Sequence, residues 1–327
     1  MTRYATLAAT AHYLPERELS NRALGAVFPG ETISKLEAAT GILTRFHAPP
    51  TWAASDLALP AARIALERAG LAPDQIDVVI VGTDTPDYLT PATSVVLQHK
   101  LGATRAGTFD VGCACASFPT AISIASGLIS TNEWIEHVLV VGAYAMHKLA
   151  DPADPTRFFY GDGAGAAVLR ASDRPGVIAS AMRADGSYAP RWGIFAGGSA
   201  EPATEAAVRD GRTNVRLVDR YPAEINDEGW PILVRDLAAR GGFEIRDIGL
   251  AIFTQVRSAT IDKVMTALEL PADRTHKIMH KWGYTGSACV GMALDDALAL
   301  GKARPGDLIV LVGSGVGYNQ AAVALRL

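Results

Sequence analysis

Cys115 stands in the run Thr108-Phe109-Asp110-Val111-Gly112-Cys113-Ala114-Cys115-Ala116-Ser117-Phe118. The run predicts an extended apolar stretch, a turn through small residues, a cysteine, and then a helix from residue 116 to about 129. A thiol at a helix start faces unpaired backbone N–H groups, whose partial positive charge favours thiolate. Thiolate is the nucleophilic form. The expectation is that Cys115 carries an acyl group as a thioester, with its pKa depressed. The bland alternative is a small buried hydrophobe, the usual fate of a lone cysteine. Cys113, two positions earlier, makes a Cys-x-Cys pair, but only Cys289 remains as a further thiol and no histidine has ligand spacing to the pair. No metal site is therefore expected, and Cys113 reads as packing or as a resolving thiol.

Two glycine runs follow, Gly161-x-Gly163-x-Gly165 and Gly313-x-Gly315-x-Gly317. A dinucleotide loop needs Gly-x-Gly-x-x-Gly with a helix behind it; here a strand is predicted behind each. Close backbone approach to the thiol fits better, and the N–H groups of Gly315 and Gly317 are candidate oxyanion donors beside that of Cys115. The seven histidines are His12, His47, His99, His137, His147, His276 and His280. None shares a short motif with Cys115. His280 is the candidate support residue, because it ends a predicted strand just before Trp282–Ser287.

The elements that must hold these groups alternate between strand and helix. Predicted helices cover 55–69, 92–101, 232–240, 259–268 and 287–300. Predicted strands cover 1–15, 77–82, 108–111, 137–143, 161–169, 248–253, 277–280, 307–312 and 321–325, with 313–317 as a glycine loop. The unit helix, Pro-Asp-Gln-Ile-Asp, strand near 70–82 resembles the unit helix, Ile-Arg-Asp-Ile, strand near 240–253. The strand–glycine–strand pattern of 137–169 resembles that of 307–325. This reads as an internal duplication of a β/α half. Residues 185–225, richer in Gly, Pro and charge, read as a long surface excursion or lid.

The chain has 327 residues, 49% hydrophobic and 20% charged, with a net charge of −4. That suffices for one large domain or two coupled halves. The charge points neither to nucleic acid nor to an anionic membrane surface. No stretch reaches the roughly 18 apolar residues of a membrane span. Three cysteines, an odd number in a long chain, argue against a disulfide framework and for a reducing cytoplasm. The first 15 residues read as a strand, not a signal peptide.

The cysteine segment, 161–169 and the C-terminal third together resemble β-ketoacyl-acyl-carrier-protein synthase III of the thiolase superfamily. Further matching elements are Tyr13-Leu14-Pro15, Ala39-Thr40-Gly41-Ile42, Pro91 with Gln98, Gly283-Tyr284-Thr285-Gly286-Ser287-Ala288 and Arg304-Pro305-Gly306-Asp307. The resemblance implies a five-layered αβαβα fold of two pseudo-symmetric halves, here 1–172 and 173–327. It also implies a homodimer, an acyl-S-cysteine intermediate on Cys115, no permanently bound cofactor, and acyl donors on coenzyme A or acyl carrier protein. The family's catalytic histidine opens His-Gln-Ala-Asn, where this chain reads Thr254-Gln255-Val256-Arg257. Its catalytic asparagine lies in Gly-Asn-Thr-Ser, where this chain reads Gly283-Tyr284-Thr285-Gly286. In the family these two donors hold the malonyl thioester carbonyl while CO₂ leaves. Thr254 and Tyr284 can donate hydrogen bonds but cannot serve as an imidazole acid/base, since a tyrosine near its reference pKa of roughly 10 stays neutral.

Coenzyme A recognition departs too. The family's adenine-stacking Trp and phosphate-binding Arg align with Lys35 and Ala39; a second Arg aligns with Pro155, with Arg157 close by. A carrier-protein donor gains weight. Thr90 stands where a partner-subunit Phe can narrow the family's acyl pocket, which hints at a longer or bulkier acyl group. The expected function is acyl transfer through Cys115 to an O, N, S or already acidic carbon nucleophile in specialised metabolism. A rearranged carbon–carbon condensing enzyme is the second reading. A silent subunit pairing with an active homologous partner is the third.

Overall fold

The run Val78–Gly82 is buried at every position, as a short β-branched stretch must be when both faces of its sheet are covered. The computed structural model describes residues 3–222 and 224–327. Its main strands are β1 (Tyr4–Tyr13), β2 (Val78–Gly82), β3 (Gly107–Val111), β4 (His137–Tyr144), β5 (Gly163–Ser172), β6 (Val177–Ala184), β7 (Ile248–Phe253), β8 (Leu308–Gly315) and β9 (Asn319–Arg326). The main helices are α1 (Ala54–Ala69), α2 (Thr93–Leu101), α3 (Ser117–Thr131), α4 (Gly229–Gly241), α5 (Ser258–Ala267) and α6 (Cys289–Ala299). The first two positions of the predicted strand over 1–15, and position 223 of the predicted excursion, lie outside the described residues.

Two sheets result. The first has order β1-β5-β4-β2-β3, with β2 parallel to both β3 and β4 and β5 antiparallel to its neighbours. The second has order β7-β8-β9-β6, with β7 parallel to β8 and β9 antiparallel to both of its neighbours. Helices α1 and α2 cover the outer face of the first sheet, while α4 covers the second with α5 beside it. Helices α3 and α6 each touch both sheets and fill the space between them. This is the five-layered thiolase-like arrangement. Phe118, Ile122 and Ile129 of α3 are fully buried, each worth roughly 1.5–3 kcal/mol. Pro119 sits in the first turn of α3, where its missing N–H costs nothing. The segment Ala114–Thr131 has a mean hydropathy of 1.3, high enough for a membrane helix, yet 61% of it is buried inside the protein as the central layer.

The duplication extends into hydrogen-bond detail. Each half carries a 3₁₀ turn between its outer helix and first parallel strand, Pro73–Gln75 and Ile245–Asp247. In the first, Gln75 Oε1 accepts from Ala72 N–H (2.8 Å); in the second, Asp247 Oδ2 accepts from Glu244 N–H (2.9 Å).

Three element readings need correction. Residues 277–280 are not a strand: Ile278 N–H donates to Gln255 Oε1 at 2.8 Å instead of joining a sheet, and Met279–Trp282 is a short helix. The glycines of 313–317 do not end β8 where predicted; β8 stays paired through Gly315 with Asn319, because small residues are needed there for contact across the halves. Helix α6 begins at Cys289, preceded by the 3₁₀ turn Gly286–Ala288. The 185–225 stretch holds a two-strand ribbon (Trp192–Gly193 with Arg216–Leu217) and a short helix, Glu205–Arg209. Val215 N–H ties it to Leu149 O at 2.8 Å.

Candidate active site

Strand β3 delivers the chain into the 3₁₀ turn Ala114–Ala116, which holds Cys115 at the mouth of α3. Ser117 Oγ accepts from Cys113 N–H (2.9 Å), Cys113 O accepts from Ala116 N–H (3.1 Å), and Thr120 Oγ1 donates to Ala116 O (2.8 Å). Asp110 serves scaffolding instead: its carboxylate caps α2 through Thr93 and Ser94 N–H at 2.7 and 2.8 Å. Ala114 has φ +48°, a left-handed conformation that costs a non-glycine residue roughly 1–2 kcal/mol. The surroundings hold it there. A Cβ on Gly315 would lie 2.0 Å from Cys113 O, and one on Gly313 would lie 2.7 Å from Cys115 O. Strand β8 of the second half is thus pressed against the cysteine turn of the first. The converse also holds: a Cβ on Gly142 of β4 would lie 2.4 Å from Ser287 O in the second half's turn.

Tyr284 reaches the thiol. Its backbone is pinned between Phe159 O, which accepts from its N–H at 2.8 Å, and Gly161 N–H, which donates to its carbonyl at 2.9 Å. Its hydroxyl is hydrogen-bonded to Cys115 Sγ. Cys115 is only 4% exposed. The expected depression of its pKa does not occur. Burial pushes the thiol well above its ordinary value, and the nearby Asp84 charge and Cys289 add to this; the Tyr284 bond opposes them without prevailing. Desolvation penalises thiolate more than the turn's N–H groups stabilise it. At rest Cys115 is therefore a thiol, not a thiolate. Cys289, at the start of α6, is likewise pushed up to about 12 by burial and accepts from Gln255 N–H at 3.5 Å.

Asp84 is the residue that sequence reasoning missed. Strand β2 lies between β3 and β4, so its C-terminal end delivers the next residues between the cysteine turn and Tyr144, the end of β4. Thr85 fixes the loop: its N–H donates to Thr83 Oγ1 and its Oγ1 accepts from Ala145 N–H, both at 3.0 Å. Asp84 is half-buried, yet its Oδ1 is shut off from solvent with no hydrogen-bond partner. Burial raises its pKa to about 6, offset in part by its own backbone N–H and the Ser287 hydroxyl. The available signal was an acid directly after a fully buried strand, at the sheet end where open α/β sheets place ligands.

The raised pKa fixes a stability prediction. Between pH 3.8 and about 6 the folded chain holds a proton on Asp84 that the unfolded chain releases, so stability falls as pH rises through that window. At 1.36 kcal/mol per pH unit the ionised carboxylate costs about 3 kcal/mol. Asp84→Asn is therefore expected to match the wild type near pH 3.5 and to exceed it by about 3 kcal/mol at pH 7.5 in urea unfolding. An equal difference at both pH values would contradict this.

The other sequence candidates separate. Thr254 follows β7, is 2% exposed, and its Oγ1 accepts from Ser314 N–H at 2.8 Å. Gly315 packs on the cysteine turn, whereas Gly317 N–H is directed to Tyr221 Oη at 3.4 Å. His280 is exposed on its short helix and is not brought to the thiol. Thr90 is exposed beside Tyr88 and Leu89, on the outside of this single chain. Arg157 sits on the turn Pro155–Phe158 with its Nε buried and unpartnered, and its charge helps to hold His47 down to about 3, after burial and His147. An open cleft of about 300 Å³, lined by Arg183, Tyr188, Ile225, Tyr318 and Gln320 among others, lies on the second half. No residue of the cysteine turn lines this cleft.

Two sheets enclosing paired central helices, with a thiol on the turn that opens one of them, define a thiolase-like acyl-handling enzyme. Comparison with known proteins narrows the class. Residues 109–186 match the family described as 3-Oxoacyl-[acyl-carrier-protein (ACP)] synthase III, and residues 238–327 match its C-terminal counterpart. A beta-ketoacyl-[acyl-carrier-protein] synthase III of Syntrophomonas wolfei subsp. wolfei is 33% identical over 325 residues, covering 96% of this chain and 95% of its own. The 3-oxoacyl-(acyl carrier protein) synthase III structure from Pseudomonas aeruginosa PAO1 superposes with TM-score 0.89 at 30% identity, covering 99% of this chain and 98% of that one. The priming β-ketosynthase of the R1128 polyketide biosynthetic pathway also gives 0.89 at 30% identity, covering 100% and 97%. The chain belongs to the 3-oxoacyl-[acyl-carrier-protein] synthase III family and is a transferase of that family.

Proposed function

We propose that this enzyme transfers acyl groups through an acyl-S-Cys115 intermediate, from an acyl carrier protein or coenzyme A thioester to an O, N, S or already acidic carbon nucleophile. The observation that carries the reading is the company of the thiol: a tyrosine hydroxyl on Sγ and a carboxyl close by, with Thr254 where the family resemblance places a histidine. Loading needs a nucleophile and donors to the developing oxyanion. The glycine-packed turn holds the first, and Tyr284 is placed to supply a donor. Decarboxylating a malonyl unit needs in addition the enolate-stabilising pair that Thr254 and Tyr284 replace. The priming ketosynthase among the similar structures lends weight to a role in polyketide or fatty-acid-like metabolism. Exposed Tyr88, Leu89 and Val95 around Thr90 suit a homodimer, and three unpaired cysteines suit a reducing cytoplasm.

The test is intact-protein mass spectrometry with acyl-carrier and acyl-CoA donors. One acyl adduct per chain is expected, absent from Cys115→Ala and present in Cys113→Ala. An adduct that survives Cys115→Ala and disappears in Cys113→Ala assigns the chemistry to Cys113 and overturns the choice of Cys115. A β-ketoacyl product formed from a malonyl thioester by the wild type supports the condensing reading instead.

A further inference from the structure

Resting on the acyl-Cys115 reading, a second question is where the acceptor's proton goes. An alcohol, amine or thiol that attacks a thioester must shed one, and the groups around Cys115 differ in their ability to take it. Tyr284 is neutral: burial holds its phenol well above its ordinary pKa. Cys289 is held neutral in the same way. Asp84 is different in kind. It is a carboxyl at the C-terminal end of a central parallel strand, set between the cysteine turn and Tyr144, with one enclosed oxygen that no group in the described residues satisfies. An orphaned, buried carboxylate oxygen is costly, and sites that keep one are commonly functional.

We propose that Asp84 is the general base of the transfer half-reaction. The acceptor heteroatom bonds to the carbonyl carbon of acyl-Cys115 while its proton passes to Asp84. The tetrahedral adduct then collapses, the carbon–sulfur bond breaks with its electron pair on Sγ, and Asp84 returns the proton to sulfur. The acyl product, the Cys115 thiol and the Asp84 carboxylate are regenerated with no other reactant. The titratable groups near enough to feel an Asp84 charge are Cys115 on its turn, Cys289 on α6, Tyr144 ending β4 and Tyr160, and the Ser287 hydroxyl acts on Asp84 itself. None is a cation that would pull its proton off early. A carboxyl with pKa about 6 is a base above that pH and still a competent acid near it.

The experiment separates the two half-reactions. Butyryl-N-acetylcysteamine is used to load the enzyme, and mass spectrometry follows release of the butyryl adduct into water from pH 5 to 8. Release by hydroxylamine, a much stronger nucleophile than water and so far less dependent on a base, is measured in parallel at a fixed concentration of its free base. For the wild type the water rate is expected to rise with pH, with an inflection near pH 6, and then level off. In Asp84→Asn the ratio of water-driven to hydroxylamine-driven release is expected to fall about 100-fold or more, and the inflection to vanish, the lower end of what a general base contributes. Asp84→Glu is expected to restore the inflection. An unchanged ratio in Asp84→Asn, or a wild-type profile flat through pH 6, overturns the assignment. The wild-type profile decides alone if the variant does not fold. Failure of the wild type to load at all removes the acyl-Cys115 reading, and this inference with it, and is seen before any release is measured.

Discussion

Gly315→Ala is expected to cut the rate of Cys115 acylation by 100-fold or more while leaving the helical content of the protein intact. The added Cβ would start 2.0 Å from Cys113 O, 2.9 Å from Cys113 C and 3.0 Å from Ala114 Cβ. Two of those atoms are backbone, so no rotamer change relieves the clash, and either β8 or the cysteine turn must move. Strand β8 is the stiffer partner, paired on one side with β7 and on the other with β9 through Gly315 itself. The turn carries the strained Ala114 and yields first. Overpacking of this kind typically costs 1–3 kcal/mol of stability, but the larger effect is catalytic, because a displacement of about 1 Å at a nucleophile can cost 10²-fold in rate. Gly127→Ala supplies the contrast. It lies on the exposed side of α3, the helix that Cys115 precedes, and nothing stands within 4 Å of its would-be Cβ. It is expected to stabilise the protein by about 0.5–1 kcal/mol with acylation unaltered. Loading at the wild-type rate in Gly315→Ala would show that the turn does not depend on the strand behind it.

That mutual dependence also explains what was legible in the residues. The cysteine turn was readable because a buried strand, small residues, a thiol and an apolar helix follow one another within a short stretch. The duplication was readable because each half repeats helix, acid- or glutamine-capped turn and strand. What could not be read was anything decided by distant neighbours. The N–H groups at a helix start predict an acidic thiol when the backbone is considered alone; the layers that bury Cys115 reverse the sign. Asp84 did not stand out in the residues at all; it is the sheet order that sets its strand between the one that leads into the cysteine turn and the one that ends at Tyr144. His280 was placed near the site on the strength of a strand, and the side chain of Gln255 takes the N–H that such a strand would have used. Tyr284 appeared only as a mismatch to a family motif; its contact with the thiol across 169 residues of sequence is a property of the fold.

The double substitution Thr254→His with Tyr284→Asn carries the remaining argument. If the loss of two enolate donors separates this enzyme from decarboxylative condensation, restoring both is expected to raise CO₂ release from a malonyl thioester by 100-fold or more over the wild type. One preorganised donor is worth roughly 10²–10³ in rate, and neither alone completes the pair. The singles should therefore gain much less than the double, the non-additivity expected of groups acting on one oxygen. The fold sets a cost on one side. Thr254 Oγ1 accepts from Ser314 N–H at 2.8 Å, and Ser314 Oγ in turn accepts from Trp230 Nε1 at 2.5 Å and donates to Asn226 Oδ1 at 2.9 Å. An imidazole that fails to replace that acceptor leaves a buried N–H unpaired, costing about 1–3 kcal/mol. On the other side Tyr284→Asn frees Cys115 Sγ of its hydroxyl partner and removes a ring that packs 6.0 Å from Tyr144, making room for the malonyl carbonyl. CO₂ release and urea stability together decide the matter. A folded double variant with no gain in CO₂ would show that these two positions do not account for the chemistry.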